Sequence, residues 1–126
     1  YVGLGGPSTT PWSMLLQPNG LVNVRASYPL RPYAPVSAPL EPLRLKRIGS
    51  SMRQAARDRE IFHLWWHPHN FGRHTDENLA FLRKVLEDFD RLRRKEGMAS
   101  LSMMDVADAV RSESGASRQD VLNAGR

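Results

Sequence analysis

The spacing of apolar residues changes along the chain. Between 43 and 58, Leu45, Ile48, Met52, Ala55 and Ala56 recur at helical intervals with arginines opposite them, which predicts an amphipathic helix. Between 61 and 67 the run IFHLWWH is short, aromatic and closed by Pro68, which predicts a buried strand. From 75 to about 96, Leu79, Leu82, Val85, Leu86, Phe89 and Leu92 form one stripe of a second helix. Thr75 suits its N-cap, Asp76 and Glu77 suit the positive end of the helix dipole, and Gly97 suits the C-cap. Residues 98–101 read as a very short strand. Ser102 and Asp105 then have the spacing of a capping box, opening a helix through Val106, Ala109 and Val110. The tail beyond it reads as a loose or marginal helix.

The first third of the chain is patterned differently. Residues 1–20 are rich in glycine and proline, and only 12–16 could pack. Pro18, Asn19 and Gly20 signal a turn that leads into Leu21, Val22 and Val24, a short strand. Residues 28–42 hold five prolines, which exclude a helix or a central strand. They predict a loop anchored by Tyr28 and Tyr33. The order is strand, loop, helix, strand, loop, helix, short strand, helix. Such alternation predicts an α/β fold with parallel strands and helices packed outside. The aromatic run 61–67 reads as an interior strand, which needs neighbours that the pattern does not supply. The expected organisation is a Pro/Gly-rich segment over 1–42, strand–helix units over 43–112 and a loose tail over 113–126.

Composition bounds this picture. The 126 residues suit one domain or part of one, and 40% hydrophobic content permits a modest core. With no cysteine there is no disulfide framework and no thiolate metal site. Cytoplasm and cell envelope both stay open. No apolar run is long enough to cross a bilayer. The net charge of +5 favours acidic partners in general. Yet Arg53, Arg57 and Arg59 alternate with Asp58 and Glu60, and Arg91, Arg93, Arg94 and Lys95 follow Glu87, Asp88 and Asp90. Mixed signs on helices read as a solvated face rather than a nucleic-acid stripe. A small basic module for nucleic acid or an anionic glycan is the alternative reading.

The chemistry concentrates in IFHLWWHPHNF, residues 61–71. On a strand, His63, Trp65 and His67 point one way and Phe62, Leu64 and Trp66 the other. His63 and His67 would then stand roughly 13 Å apart, too far to share an ion. His67 and His69 are closer, but no acidic residue lies near them in sequence. His67 is the last residue before Pro68, at the strand end where α/β folds place their ligands. It can serve there as a general acid or base, or as a rim histidine bonded to backbone. Trp65 and Trp66 face opposite sides, so at least one belongs in the core.

IFHLWWHPHNF, followed by NLAFLRKVLEDFDRLRRKEGMASLSMMDVAD, resembles the C-terminal end of the polysaccharide deacetylase family, the NodB-homology domain. The resemblance covers residues 43–110, and more weakly LVNVRASYPLRPY upstream. It implies the C-terminal part of a distorted (β/α) barrel, incomplete here, from a hydrolase that removes N-acetyl groups from glycan sugars. In the complete domain a divalent metal, typically zinc, is held by one aspartate and two histidines, and a second aspartate acts as base. The resemblance makes His67 the acid toward the leaving amine and puts Trp65, His69 and Asn70 on the substrate rim. The metal-binding residues belong to the family's N-terminal half and find no counterpart here, so this chain is not expected to ligate the ion fully. With Tyr1 at its start, the chain reads as a C-terminal fragment, inactive alone and of poor stability.

Overall fold

A computed structural model describes residues 8–124, with side chains to Gly115. The Tyr1 start and the last two residues of the tail lie outside the described residues. Three long helices dominate: α1 (Glu41–Asp58), α2 (Thr75–Glu96) and α3 (Met103–Ala124). Two strands of two residues each, β1 (Tyr28–Pro29) and β2 (Leu64–Trp65), pair in parallel, Tyr28 beside Leu64 and Pro29 beside Trp65. No helix among the described residues is long and apolar enough to cross a membrane.

The expected partial (β/α) barrel is therefore corrected: the described chain is mostly helical, with a single parallel pair and no barrel. The reason lies in the run 61–67. Only Leu64–Trp65 pairs with β1, and Ile61 makes one antiparallel bridge to Thr10, with N–H to O distances of 2.9 Å in both directions. Phe62 and Leu64 pack against the helical core, whereas Trp65, Trp66 and His67 are exposed. The run has one covered side, so it is no interior strand. Likewise Leu21, Val22 and Val24 yield only a bridge from Val22 to Leu16, and residues 98–101 form no strand.

The proline-rich loop expected over 28–42 is more ordered than its composition suggests. Pro29 joins β1 because its nitrogen turns away from the partner. The ladder bonds come from Tyr28 N–H to the His63 carbonyl (3.2 Å) and Leu30 N–H to the Trp65 carbonyl (2.8 Å). Residues Pro35–Leu40 coil into 3-10 turns that run directly into α1. Proline fixes a φ compatible with such turns and lacks only an N–H that a first turn leaves free.

α1 packs on α2 as the sequence stripes direct. Ile48, Met52, Phe81 and Val85 are buried together with Leu30. The Arg44 guanidinium lies 5.0 Å over the Phe81 ring. Gly49 admits the Asp88 carboxylate, since a Cβ there would stand 2.9 Å from its oxygen. Leu79 and Leu86 fall at the margin of the α2 stripe and are exposed. The helix starts one residue early: His74, at φ 56°, holds the N-cap position expected of Thr75. Gly97, at φ 71°, ends it in the left-handed conformation that glycine adopts without cost.

α3 opens on the expected capping box. The Ser102 N–H donates to the Asp105 carboxylate (2.8 Å) and the Asp105 N–H donates back to the Ser102 hydroxyl (3.2 Å). This helix packs elsewhere: Val106 and Val110 bury Leu15, flanked by Trp12, Val22, Val24 and Ile61. The core thus consists of two clusters with no buried side chain in common.

Candidate functional site

Both parallel strands run toward the same end of the molecule, and the loops that leave them define the site. Beyond β2 the chain passes through Trp66 and His67 into a 3-10 turn, Pro68–Phe71. Pro68 takes its first position, where no N–H is needed, and the Asn70 N–H closes the turn on the His67 carbonyl at 2.9 Å. Beyond β1 the loop reaches Tyr33, whose N–H donates to the Asn78 side-chain oxygen at 2.6 Å. Asn78 is buried near the start of α2, and its amino group donates to the carbonyls of Arg73 (2.8 Å) and His74 (3.0 Å). The Tyr33 and His74 rings meet edge to face at 5.3 Å. Asn78 therefore ties both strand-end loops to α2. The helical pattern gave no sign of this role, because Asn78 interrupts the apolar stripe by only one position.

His67 is exposed and stands two residues beyond the end of β2, which corrects the expectation that it closes the strand. Trp65 sets its ring edge-on to His67, centroids 5.3 Å apart at 85°. His69 stacks on His67, centroids 5.2 Å apart at 16°. Three of the four expected site residues thus form one continuous row of rings. Asn70, half-buried, contributes to the turn that supports the row. Neither tryptophan belongs to the core, which corrects that expectation: Trp65 is 36% and Trp66 38% exposed. Trp66, on the opposite face, stacks over Phe71 with centroids 5.9 Å apart at 15°. His63 shares the direction of Trp65 but not its exposure. Its N–H donates to the Ser27 hydroxyl (3.0 Å), and its Nδ1 is buried with no hydrogen-bond partner.

The residues described do not fit the divalent metal that the resemblance implies. No three histidine, aspartate or glutamate side chains come together among them. The ring nitrogens of His67 and His69 lie in nearly parallel planes and do not converge on a point.

The arginines of the alternative reading are engaged locally. Arg57 pairs with Asp58 at 3.2 Å, Arg93 with Asp90 at 2.8 Å, and Arg94 with the same aspartate. Arg53 donates to the Ser50 hydroxyl at 3.0 Å. The Arg93 hydrogen bond, with the charges of Arg94 and Arg93, holds the Asp90 carboxyl below the usual carboxylate range. Apart from the adjacent Arg57 and Asp58, these are i,i+3 and i,i+4 partners on helix faces, the arrangement of a solvated surface. A concavity of about 720 Å³ lies between the ends of α1 and α2 and the start of α3. His63, Glu60, Glu96, Met98 and Met103 line it. Glu60 there accepts the Thr9 hydroxyl at 2.5 Å. No family model matches the chain, and neither does any curated protein or solved structure.

Proposed function

We propose that this chain carries the sugar-facing, proton-donating part of a polysaccharide deacetylase-like hydrolase and is inactive alone. The observation that supports this reading is the exposed Trp65–His67–His69 row at the C-terminal end of the parallel pair. Flat apolar rings offer a pyranose face a surface to stack on, and imidazoles offer the surrounding hydroxyls donors and acceptors. An amide nitrogen leaves only when it is protonated as the C–N bond breaks. His67 in its imidazolium form gives up that proton and is left neutral. Trp65 and His69 both lie in ring contact with the imidazole, which restricts its orientation and aims the donor.

The test is a titration of the 126-residue chain with N-acetylglucosamine oligomers, followed by backbone and side-chain NMR. Shifts centred on Trp65, His67, His69 and Asn70 are expected. An unchanged spectrum at millimolar oligomer would defeat the proposal. Nucleic-acid binding that falls steeply with salt would favour the basic module instead.

A further inference from the structure

The concavity between the ends of α1 and α2 and the start of α3 is lined by the residues that lead into β2, whereas the ring row follows that strand. Trp12, Ile61, Met98, Met103 and Val106 give it an apolar wall. Its charged groups are Glu60, Glu96 and Arg59. The helices that end there add to the negative side, because last-turn carbonyls carry the negative end of the helix dipole. α1 ends at Asp58 and α2 at Glu96. α3 brings its positive end, but the Asp105 carboxylate already offsets it by accepting the Ser102 N–H (2.8 Å) and hydroxyl (2.7 Å). A negative cavity in a chain of net charge +5 is not a by-product of composition. The backbone is bent to form it. Arg59 sits at φ 54°, in the left-handed region that a residue with a Cβ rarely adopts. Its N–H and that of Glu60 both close on the Ala55 carbonyl, the second at 2.9 Å. This turn carries Glu60 into the lining. His63 adds an unmet demand, since its Nδ1 is buried with no hydrogen-bond partner. Such an atom costs stability until something arrives to meet it.

We infer that this concavity is a binding site for a small organic cation, an amine with an aromatic or apolar body. Its volume of about 720 Å³ is ordinary for a small-molecule site. The body lies on the apolar wall, where the thioethers of Met98 and Met103 suit an aromatic ring. The ammonium head has three N–H donors and meets the carboxylates in charge-assisted hydrogen bonds. Glu60 can accept one while it keeps the Thr9 hydroxyl, because an ionised carboxylate takes several donors. His63 Nδ1 is an acceptor when the imidazole proton sits on Nε2, and a turn of the ring brings it to the head. An anion would find Arg59 but would face both carboxylates and two helix ends of its own sign. The site is separate from the ring row, so it stands whether or not the chain binds sugar.

The experiment titrates the 126-residue chain with phenethylamine, phenethyl alcohol and hydrocinnamate, which share a ring and differ in the charge of the head. Methionine-methyl NMR locates the binding, and the signals of Met98 and Met103 should move. The amine should bind about tenfold more tightly than the alcohol, and hydrocinnamate most weakly. Glu60→Gln combined with Glu96→Gln removes both charges, leaves an acceptor for Thr9 and should bring the amine-to-alcohol ratio near one. His63→Leu should weaken the amine about threefold without lowering the urea midpoint, which separates a lost ligand contact from a damaged fold. Far-UV circular dichroism reports whether the helices of the variants are intact, and the three probes on the wild type decide the matter if the double variant unfolds. The inference is overturned if Met98 and Met103 stay unmoved at millimolar amine. Alcohol or hydrocinnamate binding as tightly as the amine overturns it too, as does an unchanged ratio in the intact double variant. Unchanged amine affinity in His63→Leu overturns the part given to His63.

Discussion

At Asn78 one side chain satisfies the Tyr33 N–H and two carbonyls of the turn before α2, and its own buried amide is satisfied in return. Replacing it by alanine takes this partner from the Tyr33 N–H and the Arg73 carbonyl, while the His74 carbonyl keeps the backbone N–H of residue 78 at 3.0 Å. Asn78→Ala is expected to cost about 2–3 kcal/mol in urea unfolding, the scale for buried groups left without partners. His63 presents the reverse case. Its Nδ1 is already buried without a partner, so His63→Leu removes an unpaired polar atom while keeping the volume. That variant should raise stability by about 1 kcal/mol, and a lower urea midpoint would contradict the assignment. The sequence showed where the histidines lie and which way they alternate. It did not show that His63 is covered and His67 open, because that depends on which strand lies alongside.

Among the elements, α1 and α2 were legible because the core contacts they make with each other follow from their own 3.6-residue stripes. Strands were not, since a strand's length is set by its partner. IFHLWWH has the composition of a full strand, yet only Leu64–Trp65 meets β1. Tyr28–Pro29, hidden among five prolines, became that partner because one proline nitrogen happens to face outward. The start of α3 was legible from Ser102 and Asp105. Hydrogen bonds from the Ser102 hydroxyl and N–H hold the Asp105 carboxyl below its ordinary value of 3.8. Its folded pKa is thus lower than its unfolded one. The charged carboxylate stabilises the helix start fully above the ordinary value, and this contribution is lost as pH falls through the folded pKa. Acid titration of helicity should lose a component in that window, and Asp105→Ala should lack it. Identical acid profiles for the two proteins would refute the capping role.

For the whole molecule, the alternation of strands and helices led to parallel strands with helices outside, and the family resemblance to a partial barrel, but alternation does not count strands. One parallel pair and two small cores were built instead. Leu30, Ile48, Met52, Phe81 and Val85 form one core, and Leu15, Val106 and Val110 the other. Such an arrangement should not unfold as a unit. Ile48→Ala should cost about 3 kcal/mol in the transition of α1 and α2 and leave α3 protected from hydrogen exchange as before. Val110→Ala should do the opposite. A single coincident transition, shifted alike by both changes, would show the cores to be coupled.

The link between Gly97 and Ser102 crosses from one core to the other, is mostly exposed and has no regular structure. A protease meeting this chain would find its easiest peptide bonds there. After such a cut α3 would be held only by Leu15 and its few neighbours, a contact too small to survive dilution, while α1, α2 and the ring-bearing strand end would remain together. The nicked protein would then keep the Trp65–His67–His69 row and shed its last helix, separating the ring-bearing part from the part built on Leu15.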